Sequence, residues 1–410
     1  MSSIKRINRA DHVGSLLRPP TLFEKRTLFE QHKCSLAELR QAEDDAVTEL
    51  VELQRSLDLA TWTDGESKKA SFFDGVFENL EGMLFMPARP INEFKRYMPH
   101  IGASSSGRPC PSLSWPLAML YAMGAPSDAT FYCNGKIKRT KPFYVEEFKA
   151  LKRVVPEQDV ERIKINVCAP TWWHHRHGST LSYDTNIYRT DDEFFSDLGT
   201  AYREEFQELY QLGCRNIQID DPTFAFFCYE PTLAGMRAEG INPAELLDTY
   251  IRAINYCTKD RPKDLRIGLH ICRGNYKGLH FCEGSYDHIA ERVFTGMDVD
   301  ALYLEYDDDR SGSFDALKHV PLDKTVVLGL ICSKNGNLES IEKLKEQVDE
   351  AATVMSKGNL KRSKEAAMKQ LWISPQCGFA AVWQGNPVTE QEEKAKLELV
   401  VEAARQIWKD

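Results

Sequence analysis

Eight short apolar segments, most of them alternating with stretches of helical period, constrain this chain more than any other feature. Each is rich in β-branched or aromatic residues and closes on a polar or reactive cluster: DHVGS ends at Ser15, TWTDGE at Glu66, IKINVCAP at Pro170 and IQIDDP at Pro222. The other four are IGLHIC ending at Cys272, LYLEYD at Asp307, VVLGLICSK at Lys334 and LWISPQC at Cys377. Near-continuous apolar character suits a strand covered on both faces, as parallel strands are. Eight such strands predict an α/β fold: a single (β/α)8 TIM barrel over residues 1–410, with functional groups at the C-terminal ends of the strands.

Four helices are marked by their ends. Ser35 caps one that runs to about Leu57, and Gly213 closes another from Asp191 to Leu212. Asn242, Pro243 and Glu245 open a third, and Thr389 with Glu392 makes a capping box before Leu397, Val400, Val401, Ala404, Ile407 and Trp408. The connection from Ser71 to Arg162 is too long for an ordinary loop and must carry structure of its own. Asn134-Gly135, within the β-prone segment Phe131 to Lys138, predicts a hairpin turn, and Phe143 to Val154 a helix. We expect 71–162 to be an excursion over the barrel mouth, and the basic tract Lys357 to Lys369 to be a solvated helix face.

The 52 basic and 61 acidic residues are interspersed and sum to −9, which argues against a nucleic-acid partner. No apolar run approaches the roughly 18–20 residues that span a bilayer, and MSSIKRINRADH lacks a signal-peptide core, so a cytoplasmic protein without a membrane partner is expected. Eleven scattered cysteines, an odd number, do not suit a secreted disulfide framework. Any cysteine cluster therefore reads first as metal-binding or catalytic. A homo-oligomer is left open.

His270 and Cys272 stand two apart on one strand, so their side chains project to the same side and can share an ion. A lone His-x-Cys is more often a packed pair than a metal site. Here two later strand ends bring Glu305 and Cys377 to the same mouth. One imidazole, two thiolates and one carboxylate make a tetrahedral set that suits Zn2+ better than Mg2+ or Ca2+. The remaining cysteines, at 34, 110, 133, 168, 214, 228, 257, 282 and 332, read as small apolar fillers. Zinc hydrolysis, which usually draws on His-x-His after the first strand, is disfavoured by His12-Val13-Gly14-Ser15.

HVGSLLRP, DGE, IQIDDP, GLHICRGN, LEYDDDRSGSF, VVLGLICSK and SPQCGF follow one another within the span Asp11 to Trp408. In this order they closely resemble the cobalamin-independent methionine synthases, specifically short stand-alone homologues of the catalytic C-terminal barrel. The resemblance implies a zinc-dependent methyltransferase acting on a small thiol, most concretely homocysteine, with 5-methyltetrahydrofolate or another methyl donor. It implies Zn2+ held by His270, Cys272, Glu305 and Cys377. It also implies an amino-acid pocket of Ser15, Glu66 and Asp220, with the two acids on the ammonium and the serine near the carboxylate. Trp172 and Trp173 fall where the family places an aromatic that contacts a pterin; the alternative is that these rings cover the mouth and that His174, His175 and His177 are solvated. Alkyl transfer or C–S cleavage on a different thiol is the alternative within the class.

Two departures qualify the resemblance. Asp220-Asp221-Pro222 stands where the family usually has Asp-Glu-Pro, and Lys334 where it carries a proton-relaying His. Lys334, together with Asp220, is thus a candidate catalytic residue, facing the leaving group of the electrophile. An ordinary lysine pKa near 10.4 makes it a weak acid source at pH 7 unless burial or a neighbouring cation lowers it.

Overall fold

The computed structural model describes residues 8–95, 97 and 127–409. Two strands, β1 Leu80–Pro90 and β2 Ser127–Arg139, pair antiparallel. Six more form one parallel sheet in chain order: β3 Lys164–Cys168, β4 Asn216–Asp220, β5 Arg266–Ile271, β6 Ala301–Glu305, β7 Thr325–Ile331 and β8 Leu371–Pro375. The first two predicted staves are held by single parallel bridges rather than ladders, Ala10 to Ile373 of β8 and Trp62 to Ile163 beside β3. Ala60 N donates to Ala10 O at 2.8 Å, so backbone bonds carry the sheet from β8 through these segments back to β3. Positive φ at Gly14, Gly65 and Glu66 bends both segments before a ladder can develop.

Alternation along the strands divides core from site. Ile165, Val167, Ile217, Ile219, Ile267, Leu269, Leu302 and Leu304 belong to the main apolar core. The intervening positions carry Lys164, Asn166, Gln218, Asp220, His270, Tyr303 and Glu305. Bonds between distant staves show that these polar groups meet inside the barrel. Asp11 accepts from Thr61 Oγ1 at 2.6 Å, Lys164 Nζ at 3.2 Å and Tyr303 OH at 2.7 Å. A buried charge pair is tolerable only with its other valences satisfied, and Asp11 meets that condition.

The four predicted helices are present at Leu36–Ser56, Asp191–Gln211, Pro243–Thr258 and Glu390–Ile407. Ser35, Thr190, Asn242 and Thr389 cap them through their side chains, and Ser35 and Thr389 complete capping boxes with Glu38 and Glu392. In the basic tract, Lys364–Gln370 is helical. No helix among the described residues is long and apolar enough to cross a membrane.

Within 71–162, Val145–Val154 is the expected helix, but Asn134-Gly135 is not a hairpin turn. Both residues lie inside β2, at a bulge where the register jumps from Glu81↔Lys138 to Met83↔Cys133. Opposite them Gly82 has φ 86, and a Cβ there would lie 2.6 Å from Lys136 O. Pairing with the distant β1 therefore prevailed over the local turn signal, with the surplus residues taken up as a bulge. Cys133, Cys168, Cys214, Cys228, Cys257 and Cys282 are buried, Cys34 and Cys332 half-buried, and all are free thiols; Cys110 lies outside the described residues.

Candidate functional site

At the C-terminal ends of β5 and β8, His270, Cys272 and Cys377 place one ligand atom each within 4.8 Å of one another, all three buried. Cys272 follows the last residue of β5, and Cys377 lies two residues beyond β8. Asp220 is the register partner of His270 on β4, and its Oδ1 lies 3.0 Å from His270 Nδ1. The carboxylate accepts from Nδ1–H and orients the ring, and Nε2 lies 3.4 Å from Gln376 O. Burial acts to lower the His270 pKa, but the Asp220 hydrogen bond and the nearby Cys377, Asp220 and Glu305 charges outweigh it and raise it. The Cys377 thiol is pushed well above its ordinary range by its hydrogen bond with Cys272 and by burial. A raised Cys377 thiol ionises readily only beside a cation, and a soft divalent metal is such a cation.

Glu305, at the end of β6, is held by three donors. Its Oε2 accepts from Arg273 N at 2.9 Å, and its Oε1 accepts from Lys334 Nζ at 3.2 Å and Arg310 Nη2 at 3.3 Å. Burial opposes its ionisation, yet Lys334, Arg310 and Arg273 together lower its pKa. Lys334 is buried, not solvated; burial alone would lower its pKa, and Glu305 reverses that, keeping the ammonium charged. Among the described residues lining the cavity, neither Glu305 nor Lys334 appears.

The cavity beside the trio has a volume of about 620 Å³. Ser15, Glu66 and Asp220 line it together with His270, Cys272 and Cys377. Burial lifts Glu66 to about 7, against the opposing charge of Lys69, whose Nζ is 3.8 Å away. Glu66 Oε2 has no hydrogen-bond partner, a buried acceptor that a ligand ammonium would satisfy. Asp220 is held by Asn166 Nδ2 at 2.9 Å and Gln218 Nε2 at 2.7 Å. Ser15 Oγ accepts weakly from Ala380 N at 3.4 Å. A Cβ at Gly378 would fall 1.8 Å from Ser15 Oγ, so only glycine lets the loop after β8 close on Ser15.

Asp221 anchors the turn that follows β4. Asp221 accepts from Thr223 N at 2.8 Å and Thr171 Oγ1 at 2.8 Å, and burial lifts it to about 6. It is absent from the lining, so the Asp-for-Glu departure falls on a loop anchor.

Trp172 and Trp173 line the cavity with Phe72, Phe73, Phe85 and Phe131, the last two from β1 and β2. Arg176 lies over Trp172 at 4.4 Å and over Trp173 at 5.4 Å. The neighbouring histidines are buried, contrary to the solvated alternative, and they point to separate partners. His174 joins Tyr250 OH and Asp191, His177 joins Thr130 Oγ1 and Glu93 O, and His175 stacks on Phe226 at 4.7 Å. Burial depresses His175 and His177 to about 3, and the burial of all three histidines makes this cluster core structure.

Sequence reasoning missed Asn166 and Gln218, which grip Asp220, and Arg310, which grips Glu305. The alternation of polar residues in KINVC and NIQID was the available signal for the first two. Arg310 sits in an acidic run, DDDR, that reads as solvated surface.

The profile of the family described as cobalamin-independent synthase, catalytic domain, matches residues 184–406. YxjG of Bacillus subtilis is 33% identical over 404 residues, 98% of this chain and 95% of that protein. A Listeria monocytogenes structure assigned as a vitamin-B12-independent methionine synthase superposes with TM-score 0.68 at 28% identity, covering 98% of each chain. A B12-independent methionine synthase from Shewanella sp. W3-18-1, solved with selenomethionine, shares the fold with TM-score 0.67 at 19% identity, covering 98% of this chain and 97% of that one. The chain belongs to the cobalamin-independent synthase family, as a member that carries its catalytic-domain barrel.

Proposed function

We propose that this chain is a zinc-dependent methyltransferase that moves a methyl group onto the sulfur of homocysteine, giving methionine. The observation that carries the reading is the convergence of one imidazole and two thiols on a cavity that also presents an unpartnered buried carboxylate oxygen from Glu66. The methionine synthase named in the Listeria structure supports it.

The donor set fits zinc, since nitrogen and sulfur donors in a buried cluster favour it over harder ions. When bound, zinc would supply the Lewis acidity that keeps a substrate thiol, with an ordinary pKa of about 8.5, as a thiolate at neutral pH. His270, Cys272, Glu305 and Cys377 would hold the ion. Asp220 fixes the His270 tautomer, and Glu66 and Asp220 receive the substrate ammonium while Ser15 stands at its carboxylate. The aromatic chamber of Trp172, Trp173, Phe72 and Phe73 excludes water and receives the donor. There the methyl carbon exchanges its bond to the donor heteroatom for one to sulfur, and the donor retains the bonding pair. Residues 71–162 contribute Phe72, Phe73, Phe85 and Phe131 to this chamber, and we read that stretch as the cover of one barrel domain.

Methionine formation from homocysteine and 5-methyltetrahydrofolate, beside a panel of other methyl donors and of thiols without an amino group, tests the reading. Turnover of homocysteine with at least one methyl donor supports it. Turnover confined to another thiol or to a non-methyl electrophile would replace it with the broader alkyl-transfer or C–S lyase chemistry.

A further inference from the structure

Three residues that line the cavity, from three successive staves, hold hydrogen-bond acceptors with spare capacity. Glu66 Oε2 has no partner, while its Oε1 lies 3.8 Å from Lys69 Nζ. Asp220 Oδ1 is taken by His270 Nδ1 and Gln218 Nε2. Among the described residues Asp220 Oδ2 accepts from Asn166 Nδ2 alone, at 2.9 Å, which leaves one of its two lone pairs. Asn166, on β3, is the third residue. Its Nδ2 also donates to Val13 O at 2.6 Å. A backbone carbonyl can only accept, so this contact fixes which way the amide points, and Oδ1 is left as a buried acceptor without a partner. Lys69 Nζ, besides facing Glu66, donates to Asn166 O at 2.8 Å, so one ammonium ties the two residues together. Gln218 makes the matching bonds to Val13 O and Asp220 but does not line the cavity.

A primary ammonium carries three N–H groups. Resting on the homocysteine reading above, we propose that Asn166 is a further substrate-binding residue. Its Oδ1 receives the third N–H of the substrate ammonium, beside Glu66 Oε2 and Asp220 Oδ2, so that the pocket selects thiols with an unsubstituted amino group. An N-methyl group on the substrate removes one N–H. It falls on the weakest acceptor, the neutral amide, because the two carboxylates hold the remaining N–H groups more strongly. Asn166 Oδ1 then stays unsatisfied in a buried site, and that penalty is the discrimination.

Calorimetric binding of homocysteine, N-methylhomocysteine and 4-mercaptobutyrate to the zinc-loaded protein tests this without turnover. The wild type should bind N-methylhomocysteine at least about tenfold more weakly than homocysteine, the scale of one buried group left unpaired. Asn166→Ala should weaken homocysteine by about tenfold and bind N-methylhomocysteine within about threefold of homocysteine. Its affinity for 4-mercaptobutyrate, which has no amino group, should stay within about threefold of the wild-type value. Gln218→Ala removes equivalent bonds to Asp220 and Val13 from outside the cavity, and should keep the preference for homocysteine over its N-methyl analogue. Equal binding of these two by the wild type would overturn the proposal even if Asn166→Ala did not fold. So would an Asn166→Ala protein that keeps the preference, or one that loses 4-mercaptobutyrate as far as homocysteine. Loss of the preference in Gln218→Ala to the same degree would overturn it too, and assign the effect to Asp220. If the wild type binds homocysteine no better than 4-mercaptobutyrate, the amino-acid reading of the pocket itself has failed, and the proposal with it.

Discussion

Asp220 Oδ1 lies 3.0 Å from His270 Nδ1, and the two residues are register partners on adjacent strands. The sheet itself thus delivers the carboxylate that orients the imidazole, while Asn166 and Gln218 fix the carboxylate in turn. Asp220→Asn should lower zinc affinity by about 10- to 100-fold, the usual effect of removing a partner of a metal-binding histidine. Competitive titration with a chelator measures it, and an unchanged far-UV spectrum confirms that the barrel is intact.

Glu66→Gln should weaken homocysteine by about 1.5–3 kcal/mol, the scale of a hydrogen bond to a charged group. Zinc content should stay the same. A thiol lacking the amino group should lose nothing, and comparing the two dissociation constants by calorimetry gives the answer.

The same carboxyl sets a pH dependence. Burial lifts Glu66 to about 7, with Lys69 and Arg18 opposing the shift and Asp220 and Asp64 adding to it. Homocysteine binding should therefore strengthen as pH rises through about 7 and the carboxylate forms, and Glu66→Gln should flatten that rise. Stability moves the other way. The folded pKa exceeds the ordinary 4.5, so the contribution of protonated Glu66 is complete below 4.5 and is lost as pH climbs through about 7. Urea titrations of metal-free protein and Glu66→Gln across this window should diverge accordingly.

Much of the barrel was legible because six strands and four capped helices are specified locally, by apolar runs and by residues such as Ser35 and Thr389. The bulge at Asn134-Gly135 was not, because it depends on β1, more than 40 residues earlier in the chain. Convergence of His270, Cys272 and Cys377 follows from strand-end logic, whereas the grip of Arg310 and Lys334 on Glu305 arises where loops after β6 and β7 meet. No spacing rule encodes that meeting. The burial of His174, His175 and His177 was likewise hidden, because their partners Tyr250, Phe226 and Thr130 come from three separate elements.

The barrel interior offers a test of the fold. Asp11→Ala removes the partner of the buried Lys164 ammonium and leaves Thr61 and Tyr303 hydroxyls without their acceptor. A loss of about 3–5 kcal/mol in unfolding free energy is expected, as for other broken buried ion pairs. Chemical denaturation provides the number, and a loss under about 1 kcal/mol would mean that this network is not what ties the first segment to β3 and β6.

The central claim is that two cysteine thiolates hold the metal and that the substrate sulfur joins them. X-ray absorption at the zinc edge, recorded on the loaded protein before and after homocysteine is added, tests it most directly. Sulfur from Cys272 and Cys377 alone should account for the first spectrum, and one further sulfur should enter the coordination sphere with homocysteine but not with serine. A sulfur count that does not change on adding homocysteine, or that never includes both cysteines, would contradict the account.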